Sequence, residues 1–388
     1  MSQVVINLDA LKHNLSVVGN WMDTRGSKWI AVIKALCGHE ETLKALQLMG
    51  VREVGDSRLE NLRTVAEVIP GTETWYLRGP SVAAVEDVAT YASVSLNSEI
   101  HTIKKLNTAA RALDKTHGII IMVELGDLRE GILPGSLVKF YREVFDLPNI
   151  DVLGIGANLG CLAGAVPTVD QMMQLVLYRE LLELKFQHTL PLISAGSTAV
   201  LPLSLNGKIP REINHFRVGE ALFLGTDLIN GGTLPYLRND IVTLEAEISE
   251  IKEKGLVPLV ETAPIPRFDY DQDENVSPGQ RGYRALVNVG YLDTDVVGLT
   301  PVDDGHHIAG ASSDVTVVNL GNEPNGLKVG DTIKFSSNYS ALLRLMSGRY
   351  IDKVVDPPLD EFAKRQSEVA PAVKQAHEEV GVDRRASA

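Results

Sequence analysis

The sequence predicts an α/β protein: an N-terminal (β/α)8 barrel followed by a mainly-β domain. Strand-like apolar runs and amphipathic helical stretches alternate from residue 28 to about 225. The strand-like runs number eight, the complement of a barrel of ordinary size. After Asn230-Gly231-Gly232 the alternation stops, and short β-like runs divided by Gly, Pro and Asp take over. A doubly wound open sheet would show the same alternation, because periodicity does not report closure.

The expected strands are 28–34, 51–55, 73–78, 91–96, 118–125, 151–157, 190–194 and 221–224. Helical spacing of apolar residues predicts helices over 40–49, 57–67, 98–113, 134–145 and 168–187. Asp56 or Ser57 is placed to cap the second of these, and Asn97 or Ser98 the third, since each can accept from an unpaired amide of the first turn. Beyond residue 240 the β-like runs are Ile241–Ile251, Arg284–Val289, Ser313–Leu320 and Asp331–Phe335, with no long helix among them. The run Val4–Leu8 is expected to pair with this second domain. Pro264–Gly282, acidic and Pro-containing, reads as an exposed loop. The expected organisation is a barrel over 8–235, a β domain over 236–355 joined by residues 1–7, and a charged tail over 356–388 that is helical up to a break at Pro371.

Composition narrows the functional classes. The chain has 388 residues, 44% of them hydrophobic and 22% charged, with a net charge of −13. That charge argues against nucleic acid or an anionic membrane as the main partner. No apolar run reaches the ~20 residues of a membrane helix, and the N-terminal residues do not read as a signal peptide. Cys37 and Cys161 make no disulfide framework, so a reducing cytoplasm is the expected compartment.

Lys34 is the most informative residue. It ends the run Trp29-Ile30-Ala31-Val32-Ile33 at the C-terminal tip of the first strand, the end of a barrel where active sites lie. A desolvated amine has a lowered pKa and attacks carbonyls, so Lys34 is a candidate Schiff-base lysine; a lysine that merely reaches solvent there is the structural alternative. Ser194-Ala195-Gly196-Ser197-Thr198 follows the seventh strand, and His215-Phe216-Arg217-Val218-Gly219-Glu220 lies beside the eighth. Small residues at such turns let backbone amides approach an oxyanion. A lysine together with two phosphate-type turns points to a phosphorylated carbonyl cofactor, pyridoxal 5′-phosphate.

These residues carry a family resemblance. From Val5-Ile6-Asn7-Leu8-Asp9 to about Val355 the chain resembles the alanine-racemase-like fold-type III pyridoxal-phosphate enzymes, and is most similar to the broad or ornithine-type amino-acid racemases. Ala31-Val32-Ile33-Lys34-Ala35 resembles the cofactor-lysine strand, with Gly38-His39 after it and Cys37 where an aromatic is usual. The resemblance implies phosphate contacts at Gly196, Ser197, Gly219 and Glu220, and Arg217 facing the pyridine nitrogen. It further implies Asn158 in place of a histidine that packs on the ring, Tyr339 closing over the phosphate from a second chain, and Arg129 contacting the substrate carboxylate or cofactor. Glu124 stands where a lysine is often carbamylated, so a direct Glu124–Arg129 ion pair is expected. Asn288-Val289-Gly290-Tyr291-Leu292-Asp293 resembles the motif of the second catalytic base, and Ser313 and Asp314 lie in the region near the substrate entrance.

The implied activity is racemisation of an amino acid by two bases, Lys34 and Tyr291, in a head-to-tail homodimer with shared sites. Ornithine, lysine or alanine are the expected substrates. A decarboxylase or D-amino-acid aldolase of the same fold, or a non-catalytic cofactor carrier, are the rival readings. No metal site is expected: His306 and His307 are adjacent, point to opposite faces of a strand, and read as exposed loop residues.

Overall fold

The structure, a computed structural model, describes residues 1–160, 162, 164–260, 277 and 279–368. Two compact units divide the chain: Met1–Asp9 with Asp240–Pro358, and Ala10–Asn239 with the residues from Leu359 onward. The change-overs fall a few residues beyond the shifts of pattern at 235 and 355. Residues 359–368 are helical; the expected break at Pro371, and Cys161, lie outside the described residues, as does most of Pro264–Gly282.

β1 (Gln3–Asn7) opens the chain, followed by α1 (Leu8–Arg25). The strands of the second unit are β2 (Lys28–Val32), β3 (Glu53–Asp56), β4 (Glu73–Tyr76), β5 (Val94–Asn97), β6 (His117–Met122), β7 (Ile150–Gly156), β8 (Leu192–Ser197) and β9 (His215–Val218). They form a closed parallel barrel. Closure is set by β2, which pairs with β3 on one side (Ala31↔Val54) and β9 on the other (Ala31↔Val218), so the open-sheet alternative does not hold. Eight helices follow the strands in turn: α2 (Glu40–Leu48), α3 (Leu59–Val68), α4 (Val85–Tyr91), α5 (Ile100–Ala112), α6 (Leu137–Val144), α7 (Val169–Phe186), α8 (Leu201–Leu205) and α9 (Glu220–Leu224).

Packing explains these elements. Ile30, Trp75, Val94, Leu96, Ile120, Met122 and Leu192, drawn from several strands, form one buried cluster. All six residues of β6 are buried, as expected for a parallel strand covered on both faces. α7 begins with a reciprocal capping box between Thr168 and Gln171. The caps of α3 and α5 lie a residue or more from where they are expected. Arg58 precedes α3 without a side-chain cap, and Glu99 caps α5 by accepting from the His101 amide.

The eighth strand is a correction. Residues 221–224, expected as that strand, are the body of α9, and the strand is His215–Val218. Ala221-Leu222-Phe223-Leu224 is apolar throughout and buried, a pattern that a short buried helix and a buried strand share. His215 and Arg217 make the true strand look polar, yet both are buried.

In the other unit, β10 (Val242–Gly255), β11 (Arg281–Val287), β12 (Leu299–Pro301), β13 (His307–Ala311), β14 (Thr316–Gly321) and β15 (Thr332–Ser337) order as β12-β15-β10-β11-β14-β13. β1 pairs antiparallel with β10 (Val4↔Leu244) and parallel with β16 (Asp352–Asp356; Val4↔Lys353). One helix of nine residues, α10 (Tyr339–Ser347), also occurs here, and Asn338 caps it by accepting from the Ala341 amide at 2.9 Å. His306 is unlike its expectation: it is buried, 3.8 Å from the Asp303 carboxylate.

Candidate active site

At the C-terminal ends of the barrel strands the chain brings together several of the residues singled out above. Arg217, on β9, is only 6% exposed although it carries a charge. Burial of a guanidinium requires that its donors be engaged. Nη1 donates to the Ser194 carbonyl and hydroxyl, both at 2.5 Å, and Nη2 donates to the Ala157 carbonyl at 3.0 Å and to Asn158 Oδ1 at 2.6 Å. β7, β8 and β9 thus meet at one cation.

Beneath Arg217, the Ser194 hydroxyl lies 2.8 Å from His215 Nδ1. The hydroxyl accepts from Arg217 and also pairs with His215 Nδ1, donating or accepting according to the imidazole tautomer. His215 stacks on Trp75 with ring centroids 4.4 Å apart. Burial, then the charges of Arg217 and Lys28, push its pKa down to about 3, so the imidazole is neutral. A parallel pair occurs across β5 and β6, where Ser95 Oγ lies 2.8 Å from His117 Nε2.

Above Arg217, the Asn158 amide donates to Glu130, whose carboxylate also receives Arg129 Nη2 at 2.6 Å. Arg129 forms an ion pair with Glu130, a partner the sequence reading did not name. Glu124 folds the loop, accepting from the backbone amides of Gly126 (2.5 Å), Leu128 (3.1 Å) and Arg129 (3.2 Å). Burial raises the Glu130 pKa, but the hydrogen bond and charge of Arg129 and the Asn158 amide outweigh this and hold it below the ordinary glutamate value.

Lys34 starts a short 3-10 helix just after β2, and its side chain is exposed rather than desolvated. Two acids lie within its electrostatic reach. Asp56, at the tip of β3, is fully buried; burial pushes its pKa up to about 6 against the opposing hydrogen bonds of Asn61, Arg58 and Ser57 and the charge of Lys34. Glu220 is also raised by burial, with Lys34 and Thr226 opposing. Cys37 ends the turn in the left-handed region, its amide donating to the Lys34 carbonyl at 3.4 Å.

The two glycine turns adjoin. Gly196 passes so close to the Phe216 ring that a Cβ there would lie 2.1 Å from it. A Cβ on Gly219 would meet Val32 at 3.0 Å. The Ala221 amide donates to Thr198 Oγ1, tying one turn to the other. Ser197 Oγ is buried with no hydrogen-bond partner among the described residues. A buried hydroxyl without a partner is costly, and two side-chain-free turns beside it suit an anion's oxygens. The residues present fit a phosphate group.

In the β unit, the Gly290-Tyr291 turn packs on Ser312-Ser313: the Tyr291 amide donates to the Ser312 carbonyl at 3.0 Å, and the Leu292 amide to the Ser313 carbonyl at 2.9 Å. Tyr291, half-buried, is thereby grouped with Ser313 and Asp314, whose side chains hydrogen-bond each other at 2.6 Å. Tyr339 is half-buried at the start of α10. Sequence reasoning missed the roles of Glu130, Ser194 and His215. The only signal for the last two was a pair of polar residues within otherwise apolar strands.

A closed parallel barrel with a lysine after its first strand and glycine turns after its last two, followed by a separate, mainly antiparallel unit, is the fold shared with solved alanine racemases. The sequence pattern described as Alanine racemase, N-terminal domain, matches residues 6–227, and the chain belongs to that family. It is 35% identical to an ornithine racemase of Acetoanaerobium sticklandii, over 90% of this chain and 98% of that protein. It is 32% identical to a lysine racemase of Thermotoga maritima, over 92% and 99%. Among solved structures, an alanine racemase from Bartonella henselae with covalently bound pyridoxal phosphate shares the fold, with a TM-score of 0.69 over 91% of this chain and 99% of that one, at 15% identity. The chain is an amino-acid racemase. No described helix is long and apolar enough to cross a membrane.

Proposed function

We propose that the protein interconverts the L and D forms of an amino acid with a basic side chain, using pyridoxal 5′-phosphate. The observation that carries the cofactor reading is Ser197 Oγ, buried without a partner among the described residues beside two bare glycine turns, in the same barrel mouth as Lys34. The substrate reading is supported by the two full-length relatives, whose names specify ornithine and lysine.

Ser197, with the backbone of Gly196, Gly219 and Glu220, holds the phosphate, and Tyr339 of a second protomer covers it. Bound in this way, the cofactor supplies a carbonyl for covalent capture by Lys34 and a ring that spreads the charge left at the substrate Cα. Arg217 would act on the ring nitrogen through its charge, since its Nη hydrogens are engaged by Ser194, Ala157 and Asn158. A guanidinium does not give up its proton, so it leaves that nitrogen unprotonated and moderates charge withdrawal. Lys34 Nζ removes or returns the α-proton on one face, and the Tyr291 hydroxyl, from the second protomer, serves the other. Arg129 orients the substrate carboxylate, and Ser313 and Asp314 line the approach.

The test is incubation of the wild-type protein and Lys34→Ala with L-ornithine, L-lysine and L-alanine in deuterated water. Wild type is expected to yield D-product with α-deuterium, most rapidly from the basic amino acids, and Lys34→Ala none. Carbon dioxide release, or carbon–carbon cleavage that depends on a divalent metal, without inversion would overturn the reading.

A further inference from the structure

We propose that Glu130 is a positioning residue for racemisation: its carboxylate fixes the orientation of the Asn158 amide, and through that amide the guanidinium of Arg217. The inference deepens the functional reading above and rests on it.

The side chains form a continuous file, Arg129–Glu130–Asn158–Arg217–Ser194–His215, with each link a hydrogen bond. Asn158 is the link that an amide flip would reverse. Its oxygen accepts from Arg217 at 2.6 Å and its nitrogen donates to Glu130. An amide between a cation and an anion has one favourable orientation, because reversal would place NH2 against a guanidinium and oxygen against a carboxylate. Remove the anion, and half of that preference disappears. Nη1 of Arg217 is held by Ser194, whereas Nη2 is shared between the Ala157 carbonyl and Asn158, so the orientation of the Asn158 amide bears on the Nη2 side of the guanidinium. The Glu130 carboxylate also offsets the charge of Arg129, which lies beside it.

The loop geometry separates this role from a purely structural one. Glu124 makes the backbone bonds that shape residues 126–129, whereas the Glu130 side chain contacts Arg129 and Asn158. Removal of the Glu130 charge therefore leaves the Glu124 bonds in place and alters the Arg129–Glu130 contact.

The test is a charge relocation. Glu130→Gln keeps the shape and loses the carboxylate. Adding Asn158→Asp moves the carboxylate one link along: the introduced glutamine accepts from Arg129 and donates to the introduced aspartate, which accepts from Arg217. The net charge is that of wild type, and one bond is given up: Arg129 Nη2 shares the Glu130 oxygen that Asn158 contacts, so only Arg129 Nε still meets an acceptor on the glutamine. Proteins reconstituted with pyridoxal 5′-phosphate are compared by absorption spectrum, cofactor affinity, melting temperature, kcat and KM. Glu130→Gln is expected to shift the cofactor band and lower kcat about tenfold, the scale of one charge-assisted bond to a buried donor, with its melting temperature nearly unchanged. Asn158→Asp alone, which sets two carboxylates together, is expected to be impaired as well, and the double variant to recover toward wild type. A Glu130→Gln protein with the wild-type spectrum and kcat overturns the proposal, as does a double variant worse than both singles. If wild type itself takes up no cofactor, the functional reading falls first and the inference falls with it; a wild type that binds cofactor and racemises beside an unaffected variant removes the inference alone.

Discussion

Ser194 Oγ and His215 Nδ1 lie 2.8 Å apart inside the barrel, and the same oxygen receives Arg217 at 2.5 Å. This arrangement favours a neutral imidazole, because a protonated one would be a second buried cation beside the Arg217 guanidinium. The pKa of His215 is pushed down to about 3 by burial, Arg217 and Lys28, and that of His117 to about 4, by burial and then Lys115. Both folded values lie below the ordinary histidine value of about 6.5, so protons favour the unfolded chain. The stability is therefore whole above pH 6.5 and falls as pH drops toward 4. Each histidine adds up to about 1.4 kcal/mol per pH unit to that fall. Denaturant midpoints measured from pH 8 to 4 are expected to show it, with a shallower decline in His215→Gln.

Asp56 predicts the opposite sign. Its folded pKa, raised to about 6 chiefly by burial, exceeds the ordinary aspartate value, so the folded state binds the proton more tightly. The favourable contribution of the protonated form is present below pH 4 and lost as pH rises through 6. Asp56→Asn, which stays neutral, is expected to gain about 1–3 kcal/mol over wild type at pH 8 and almost nothing at pH 4, as read by urea unfolding at the two values. Because Lys34 is within electrostatic reach of this acid, the stabilised variant is also expected to lose activity.

Gly196→Ala tests the close approach of the seventh-strand turn to β9. A Cβ 2.1 Å from the Phe216 ring cannot be accommodated without moving a fully buried aromatic. Overpacking of this kind costs roughly 1–3 kcal/mol. The turn beside Ser197 would shift as well, so cofactor affinity is expected to fall together with the melting temperature. An unchanged affinity would separate the turn from the phosphate.

What could be read in the sequence follows from how local each signal is. The barrel was legible because strand and helix periods are local and repeat eight times. The eighth strand was misread because an apolar run at 221–224 outweighed a true strand containing His215 and Arg217, whose side chains hydrogen-bond to residues about twenty positions away or more. The same non-locality hid the file from Arg129 to His215. Lys34 was identified by position at the end of β2, although its exposure in the structure shows that burial was the wrong reason to select it. Glu124 drew attention through its place in a motif, yet the neighbouring Glu130 makes an ion pair with Arg129, since adjacent side chains in an irregular loop follow no fixed period.

Tyr291→Phe bears most directly on the two-base reading. The Tyr291 turn is anchored by backbone bonds to Ser312 and Ser313 and by the Gly290 amide donating to the Asp293 carboxylate at 2.9 Å. These are backbone and Asp293 contacts, which replacement of Tyr291 by phenylalanine keeps. If Lys34 serves one face of the substrate and Tyr291 the other, the variant retains α-proton removal from the enantiomer that Lys34 faces and loses it from the other by about 10²–10⁴-fold, the range for one positioned acid–base group. The measurement is wash-in of α-deuterium from each pure enantiomer during the first turnovers. Equal loss from both enantiomers would point to a binding role for the hydroxyl, and equal retention would leave Lys34 as a single base serving both faces.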